Sequence, residues 1–136
     1  MQYANGNYMH CNTSWSDIDH VLIPIMMETK VHWILADFDI KDRTVYVYNS
    51  SRLTLKDRMV IADVEAFACV LPCLMVKINS WWHMAVESIG RVEPLSVKIA
   101  IDIPQDEFGY NCGLYVIKYD ECLLRESSLL QFIIRG

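Results

Sequence analysis

Val31-His32-Trp33-Ile34-Leu35-Ala36-Asp37-Phe38, then a mostly polar stretch over 39–43, then Thr44-Val45-Tyr46-Val47-Tyr48, is the stretch that decides the fold. Both runs are rich in β-branched and aromatic residues, which suit a pleated, half-buried surface. Two such runs joined by a short polar segment form a hairpin, and Asn49-Ser50-Ser51 closes it as a turn. Upstream, the short apolar run 21–25 is interrupted by Pro24 and reads as a strand end. Downstream the period changes. Over 55–70, Met59, Val60, Val64, Phe67 and Ala68 lie on one helical face, and Pro72 is expected to end or kink this helix near Val70. Residues 74–78 read equally as helix or strand, and Trp81-Trp82 opens a further apolar piece that reads as core. Residues 95–103 alternate as a strand stopped by Pro104, 105–111 form a loop, and 112–124 carry Leu114, Ile117, Tyr119 and Leu123 at helical spacing. The order β-β-α-β-α defines an α+β layout.

A chain of 136 residues makes one domain, and its apolar fraction of 53% with 21% charged residues excludes disorder. Twelve basic and seventeen acidic side chains give a formal charge of −5, which offers no electrostatic footprint for nucleic acid. The most apolar window, 60–78, contains Asp63, Glu65, Pro72 and Lys77 and reads as too interrupted to span a membrane. The first fifteen residues lack the charged-then-apolar order of a signal peptide. Five unevenly spaced cysteines argue against a disulfide framework and for a reducing compartment.

Three features carry chemistry: His32-Trp33 in a strand, Asn49 at the end of the next, and Gly109-Tyr110-Asn111-Cys112-Gly113 where a loop enters a helix. Only the thiolate is a good nucleophile, and a free thiol with a pKa of about 8.5 is mostly protonated at neutral pH. A helix amino terminus, with its unpaired N–H groups and partial positive charge, favours the thiolate, and a neighbouring imidazole does the same. On spacing alone, Cys112 reads equally well as a small buried packing residue. His32 alone reads as a core histidine, but Asn49 at the end of the partner strand is placed to accept a hydrogen bond from the ring and fix its tautomer. Cys69, Cys73 and His83 lack a fourth ligand for zinc, His10-Cys11 is weaker still, and Asp37, Asp39 and Asp42 read as a solvated turn.

These residues resemble the papain-like cysteine proteases that process or remove ubiquitin-like modifiers: the SUMO (sentrin)-specific protease family and its adenovirus-protease relatives. That family carries His-Trp in a strand, an acidic residue before serine ending the next strand, and Gln-x-x-Gly-x-Asp-Cys-Gly entering a helix. Here the matching residues are His32-Trp33, Tyr48-Asn49-Ser50, and Pro104-Gln105 followed by Gly109-Tyr110-Asn111-Cys112-Gly113. The likeness runs over 15–124 and has the flavour of the plant branch.

The resemblance implies a papain-like α+β fold with a central mixed sheet and a helix starting at Cys112, in a single catalytic domain over 1–136. It implies a thiol peptidase or isopeptidase acting after a Gly-Gly-like tail, with no cofactor or metal. Cys112 would be the nucleophile, His32 the base and then the acid, and Asn49 the residue orienting His32. Trp33 and Gly113 would line the substrate channel, and Gln105 or Asp106 would serve the oxyanion hole. The implied partner is a ubiquitin-like modifier or its protein conjugates, with neither nucleic acid nor membrane involved, inside the cell in nucleus or cytoplasm. The family's catalytic domain is larger, so an incomplete or degenerate relative is expected. Asn49 stands where the family has aspartate, Asp106 falls on its oxyanion glutamine, and Asn111 replaces its aspartate before the cysteine. In a serine triad the Asp-to-Asn change costs about 10⁴ in turnover. A carboxylate at the oxyanion position would repel the developing charge, so Asp106→Gln is expected to repair the site. The alternative reading is a catalytically impaired relative that acts as a protein-binding module.

Overall fold

The computed structural model describes residues 15–28, 30–77 and 92–125. After a short 3-10 turn at Trp15–Asp17, the elements are β1 (His20–Met27), β2 (His32–Asp39), β3 (Thr44–Tyr48), α1 (Asp57–Lys77), β4 (Ser96–Ile99) and α2 (Cys112–Leu124). The four strands form one sheet in the order β1-β2-β3-β4. The first three are antiparallel neighbours, with Met27 opposite His32 and Leu35 opposite Tyr48. β4 runs parallel to β3, and α1 supplies the crossover that a parallel pair requires.

The two helices cover opposite faces of the sheet. Ile34, Ala36, Phe38, Val45 and Val47 meet Val60, Val64, Ala68, Leu71 and Met75 of α1 on one face. Leu35 meets Val116 and Tyr119 of α2 on the other. This accounts for the nearly unbroken apolar run of β2, because a strand covered on both faces has no solvent side to keep polar. Each fully buried aliphatic or phenyl side chain here contributes roughly 1.5–3 kcal/mol through removal from water. The region 21–25 is part of a full strand, and Pro24 is tolerated there because β1 lies at the sheet edge.

α1 corrects two expectations. The helix does not end near Val70; it continues through Pro72 to Lys77, which also settles 74–77 as helix. A proline at this position deprives the carbonyl of Ala68 of its helical partner; the Leu95 N–H takes that place at 2.9 Å. The break is thereby repaired by a bond to the segment leading into β4. At 21 residues, α1 is also long and apolar enough to cross a bilayer by length and composition, contrary to the sequence reading. Its Val60, Val64, Ala68, Leu71, Pro72 and Met75 face is buried in this domain.

The strand expected over 95–103 is regular only over Ser96–Ile99, with one further ladder bond from Ala100 N–H to the Val47 carbonyl at 2.8 Å. Asp102 at φ 57 turns the chain out of the sheet before Pro104. The acidic turn is likewise different from its reading. Asp37 is buried and bonded to His20 at 2.9 Å, while Asp39 accepts the Asp42 N–H at 2.8 Å. Ile78, Trp81, Trp82, His83, His10 and Cys11 lie outside the described residues.

Candidate active site

The antiparallel register puts His32 and Asn49 in the alternating set that includes Ile34 and Val47, so both side chains belong to the α1 face. His32 opens β2 and is buried; Asn49 directly follows β3 and is fully buried. His32 Nε2 and Asn49 Oδ1 are 2.8 Å apart. Two further bonds orient the Asn49 amide: Oδ1 accepts the Ser51 N–H at 3.0 Å, and Nδ2 donates to the Leu55 carbonyl at 3.1 Å. Oδ1 therefore faces the ring, Nε2 carries the proton of a neutral His32, and Nδ1 is the ring's acceptor. Ser51 and Leu55 were not singled out from sequence, because backbone acceptors and donors leave no residue-type signature.

Cys112 begins α2, and the Trp33 backbone N–H donates to its Sγ at 3.5 Å. Since Trp33 follows His32, this bond brings the helix-start sulfur to the strand end that carries the imidazole. Trp33 is part-exposed, and a Cβ built on Gly113 would lie 3.8 Å from its Cδ1. The structure thus groups His32, Asn49, Cys112, Trp33 and Gly113 at one end of the sheet. The side chain of Asn111, the residue before α2, makes no capping bond to the helix.

Gln105 and Asp106 do not have the geometry expected of an oxyanion donor. Gln105 Nε2 donates to the carbonyls of Asn49 at 2.8 Å and Pro104 at 3.4 Å, and Oε1 accepts the Arg52 N–H at 3.0 Å. Its donors are turned into the loop after β3. Asp106 is buried, and its carboxylate accepts the Phe108 N–H at 3.1 Å and the Asn111 N–H at 2.7 Å. Its own N–H donates to the Ser50 carbonyl at 2.7 Å. Between these anchors the chain turns at Gly109, whose φ of 75 lies in the left-handed region that favours glycine.

The loop is also braced from α2. Tyr115 and Tyr119, one helical turn apart, donate their hydroxyls to the carbonyls of Gln105 and Pro104. Burial pushes both phenols up from their ordinary value. Their spacing of four is the signal that would have found them, since it places two hydroxyls on one helix face. On the other side, Arg52 forms a two-point ion pair with Asp57, at 3.0 and 2.7 Å, which holds the Asp57 carboxyl below its usual range.

Cys69 and Cys73 are exposed on α1, with Cys73 Sγ 3.6 Å from the Cys69 carbonyl; Cys112 and Cys122 are also free thiols. Among the described residues no group of three or more His, Cys, Asp or Glu side chains is placed to hold a metal ion.

A buried imidazole tied to an amide, on a strand whose next backbone N–H meets a cysteine that opens a helix packed on the same mixed sheet, is the architecture of the papain-like class. The chain belongs to the Ulp1 protease family: the profile of that family's C-terminal catalytic domain matches residues 5–132. Among solved structures, SUMO protease Ulp1 with its catalytic cysteine oxidised to a sulfonic acid is similar, with a TM-score of 0.56 at 21% identity over 86% of this chain and 47% of that one. The C-terminal Ulp1 protease domain in complex with Smt3, the yeast ortholog of SUMO, gives 0.53 at 22% identity, over 86% of this chain and 46% of that one. At these identities the likeness is one of fold. The chain spans about half the length of these relatives, 47% and 46%. A comparison with curated proteins gave no match.

Proposed function

We propose that this chain carries the thiol-peptidase site of a Ulp1-family enzyme that cleaves ubiquitin-like, SUMO-type modifiers from their precursors or conjugates. The observation that carries this reading is the double tether. His32 is held by Asn49 at 2.8 Å, and the Trp33 N–H next to it holds Cys112 Sγ at 3.5 Å. Cys112 attacks the carbonyl carbon that ends a Gly-Gly-like tail, with His32 Nδ1 taking the thiol proton. His32 then gives that proton to the departing amine, and water releases the acyl group from sulfur. Asn49 keeps the ring in the required tautomer. Trp33 and Gly113 flank a channel that admits residues without side chains. With Gln105 and Asp106 engaged elsewhere, the unpaired N–H groups of the first turn of α2 are the donors available to the oxyanion. The solved relative bound to Smt3 supports a SUMO-type partner.

A SUMO-type modifier bearing a carboxy-terminal vinyl sulfone tests the proposal. Covalent capture at Cys112, lost on Cys112→Ser and strongly slowed on His32→Ala, is expected. Reversible binding with no capture would instead favour the second reading, a modifier-binding relative without turnover. That reading draws on the neutral Asn49 beside His32 and on the missing side-chain donor at 105–106.

A further inference from the structure

Resting on that reading of Cys112, we propose that Asp106 is a positioning residue: its carboxylate fixes the loop that delivers Cys112 to the His32 strand. The proposal inverts the role that alignment with the family suggests. An oxyanion residue must donate; Asp106 accepts on both oxygens, from Phe108 at 3.1 Å and Asn111 at 2.7 Å. Asn111 immediately precedes the sulfur-bearing residue, so the second bond acts one peptide from Cys112.

The other end of the tether is equally specific. The Asp106 N–H donates to the Ser50 carbonyl at 2.7 Å, and the neighbouring Gln105 amide donates to the Asn49 carbonyl at 2.8 Å. Residues 105–106 therefore join the turn that holds the partner of His32 to the residue that precedes the nucleophile. The position of the sulfur against the His32 strand is set through this connection, together with the Trp33 N–H bond to Sγ at 3.5 Å. Asp106 is 8% exposed, so water is poorly placed to replace a lost acceptor. An amide at 106 could accept at its oxygen but would turn N–H groups toward a second N–H. Asp106→Gln therefore damages the loop and does not repair an oxyanion hole.

The test uses the full chain, ¹⁵N-labelled, as Asp106→Asn, Asp106→Gln and Asp106→Glu. Amide hydrogen exchange is read at Asn111, Trp33 and Ser51, and Cys112 alkylation by iodoacetamide is read against Cys122 in the same molecule. In Asp106→Asn, exchange at Asn111 should quicken about ten-fold or more, as expected for a lost buried bond. The Trp33 amide, which reports the sulfur's position, should quicken with it, while Ser51, bonded to Asn49, stays protected. Cys112 labelling should fall by a similar factor, and Asp106→Glu, which keeps two acceptors on a longer arm, should recover part of both losses.

Faster exchange at Asn111 with Trp33 and Cys112 labelling unchanged would overturn the proposal, leaving Asp106 a purely local loop residue. Faster turnover in Asp106→Gln would also overturn it, since that is the result of a restored donor, and so would faster Cys112 labelling there, since a damaged loop cannot deliver the thiol better. The catalytic reading fails separately: parental Cys112 labelling indifferent to His32→Ala would reject it, while the Asn111 and Trp33 exchange pair would still decide the role of Asp106. Should Asp106→Asn not fold, the Glu and Gln variants carry the same comparison.

Discussion

Asn49 Oδ1 lies 2.8 Å from His32 Nε2 and simultaneously accepts the Ser51 N–H at 3.0 Å, while Nδ2 of the same side chain donates to the Leu55 carbonyl. One fully buried amide therefore serves three partners, and each substitution at this position has a different signature. Asn49→Ala strands all three and should cost about 1–3 kcal/mol or more in urea denaturation, with slower Cys112 labelling. Asn49→Asp keeps the bonds to His32 and Ser51 but sets a carboxylate oxygen against the Leu55 carbonyl. It should also lower the denaturation midpoint, yet raise Cys112 labelling by adding a charge that favours the imidazolium. A variant that gains stability and loses reactivity would contradict this account.

Gly113 separates folding from function. Its backbone is not in the left-handed region, and a methyl there would stand 3.8 Å from Trp33 Cδ1, an ordinary contact. Gly113→Ala should leave stability unchanged or raise it by roughly 0.5–1 kcal/mol, because alanine loses less backbone entropy in a helix. If Trp33 and Gly113 flank the proposed substrate channel, turnover should nevertheless slow, since the added methyl stands against Trp33. Thermal unfolding and turnover of a modifier–fluorophore fusion measure the two effects independently.

His20 is half-exposed and bonded to the buried Asp37, which raises its pKa above 6.5 despite some opposing desolvation. The folded chain therefore binds the His20 proton more tightly than the unfolded chain does. The resulting stabilisation is complete below pH 6.5 and is lost as pH rises through the folded value. Asp37 is itself shifted upward because burial outweighs the help of His20, so the pair offsets part of a burial cost. The decline between pH 6 and pH 8 should be under about 1 kcal/mol for so exposed a histidine. Denaturation midpoints of His20→Gln at the two pH values should show a flatter dependence than the parent.

Pro72 offers a test of backbone repair. Proline in an exposed helix interior costs about 3 kcal/mol relative to alanine. Here the Ala68 carbonyl that it orphans is already occupied by the Leu95 N–H at 2.9 Å. Restoring an N–H with Pro72→Ala makes two donors compete for one acceptor and trims a buried side chain. The gain in chemical denaturation should stay well below the 3 kcal/mol that helix propensity alone suggests. Recovery of the full amount would mean that the Leu95 bond contributes nothing.

What the sequence determined by itself is what local pattern can encode. The β-branched and aromatic runs 31–38 and 44–48 suffice for the hairpin, and glycines around Cys112 before helical periodicity mark the start of α2. The spacing of His32-Trp33, Asn49 and Cys112-Gly113 is legible for the same reason: side-chain identity at ordered positions is one-dimensional information. Tertiary structure decided the rest. Pro72 stays inside a helix because a donor from the approach to β4 reaches its orphaned carbonyl, and Asp37 is buried because β1 brings His20 beside it. Resemblance to the family makes Gln105 and Asp106 candidates for one oxyanion hole, but the fold turns one amide to Asn49 and Arg52 and the other residue's carboxylate to Phe108 and Asn111. Residue type states only whether a group can donate or accept. The partner it finds depends on which backbone groups the fold leaves unpaired within about 3 Å, and those are set by segments distant in the chain.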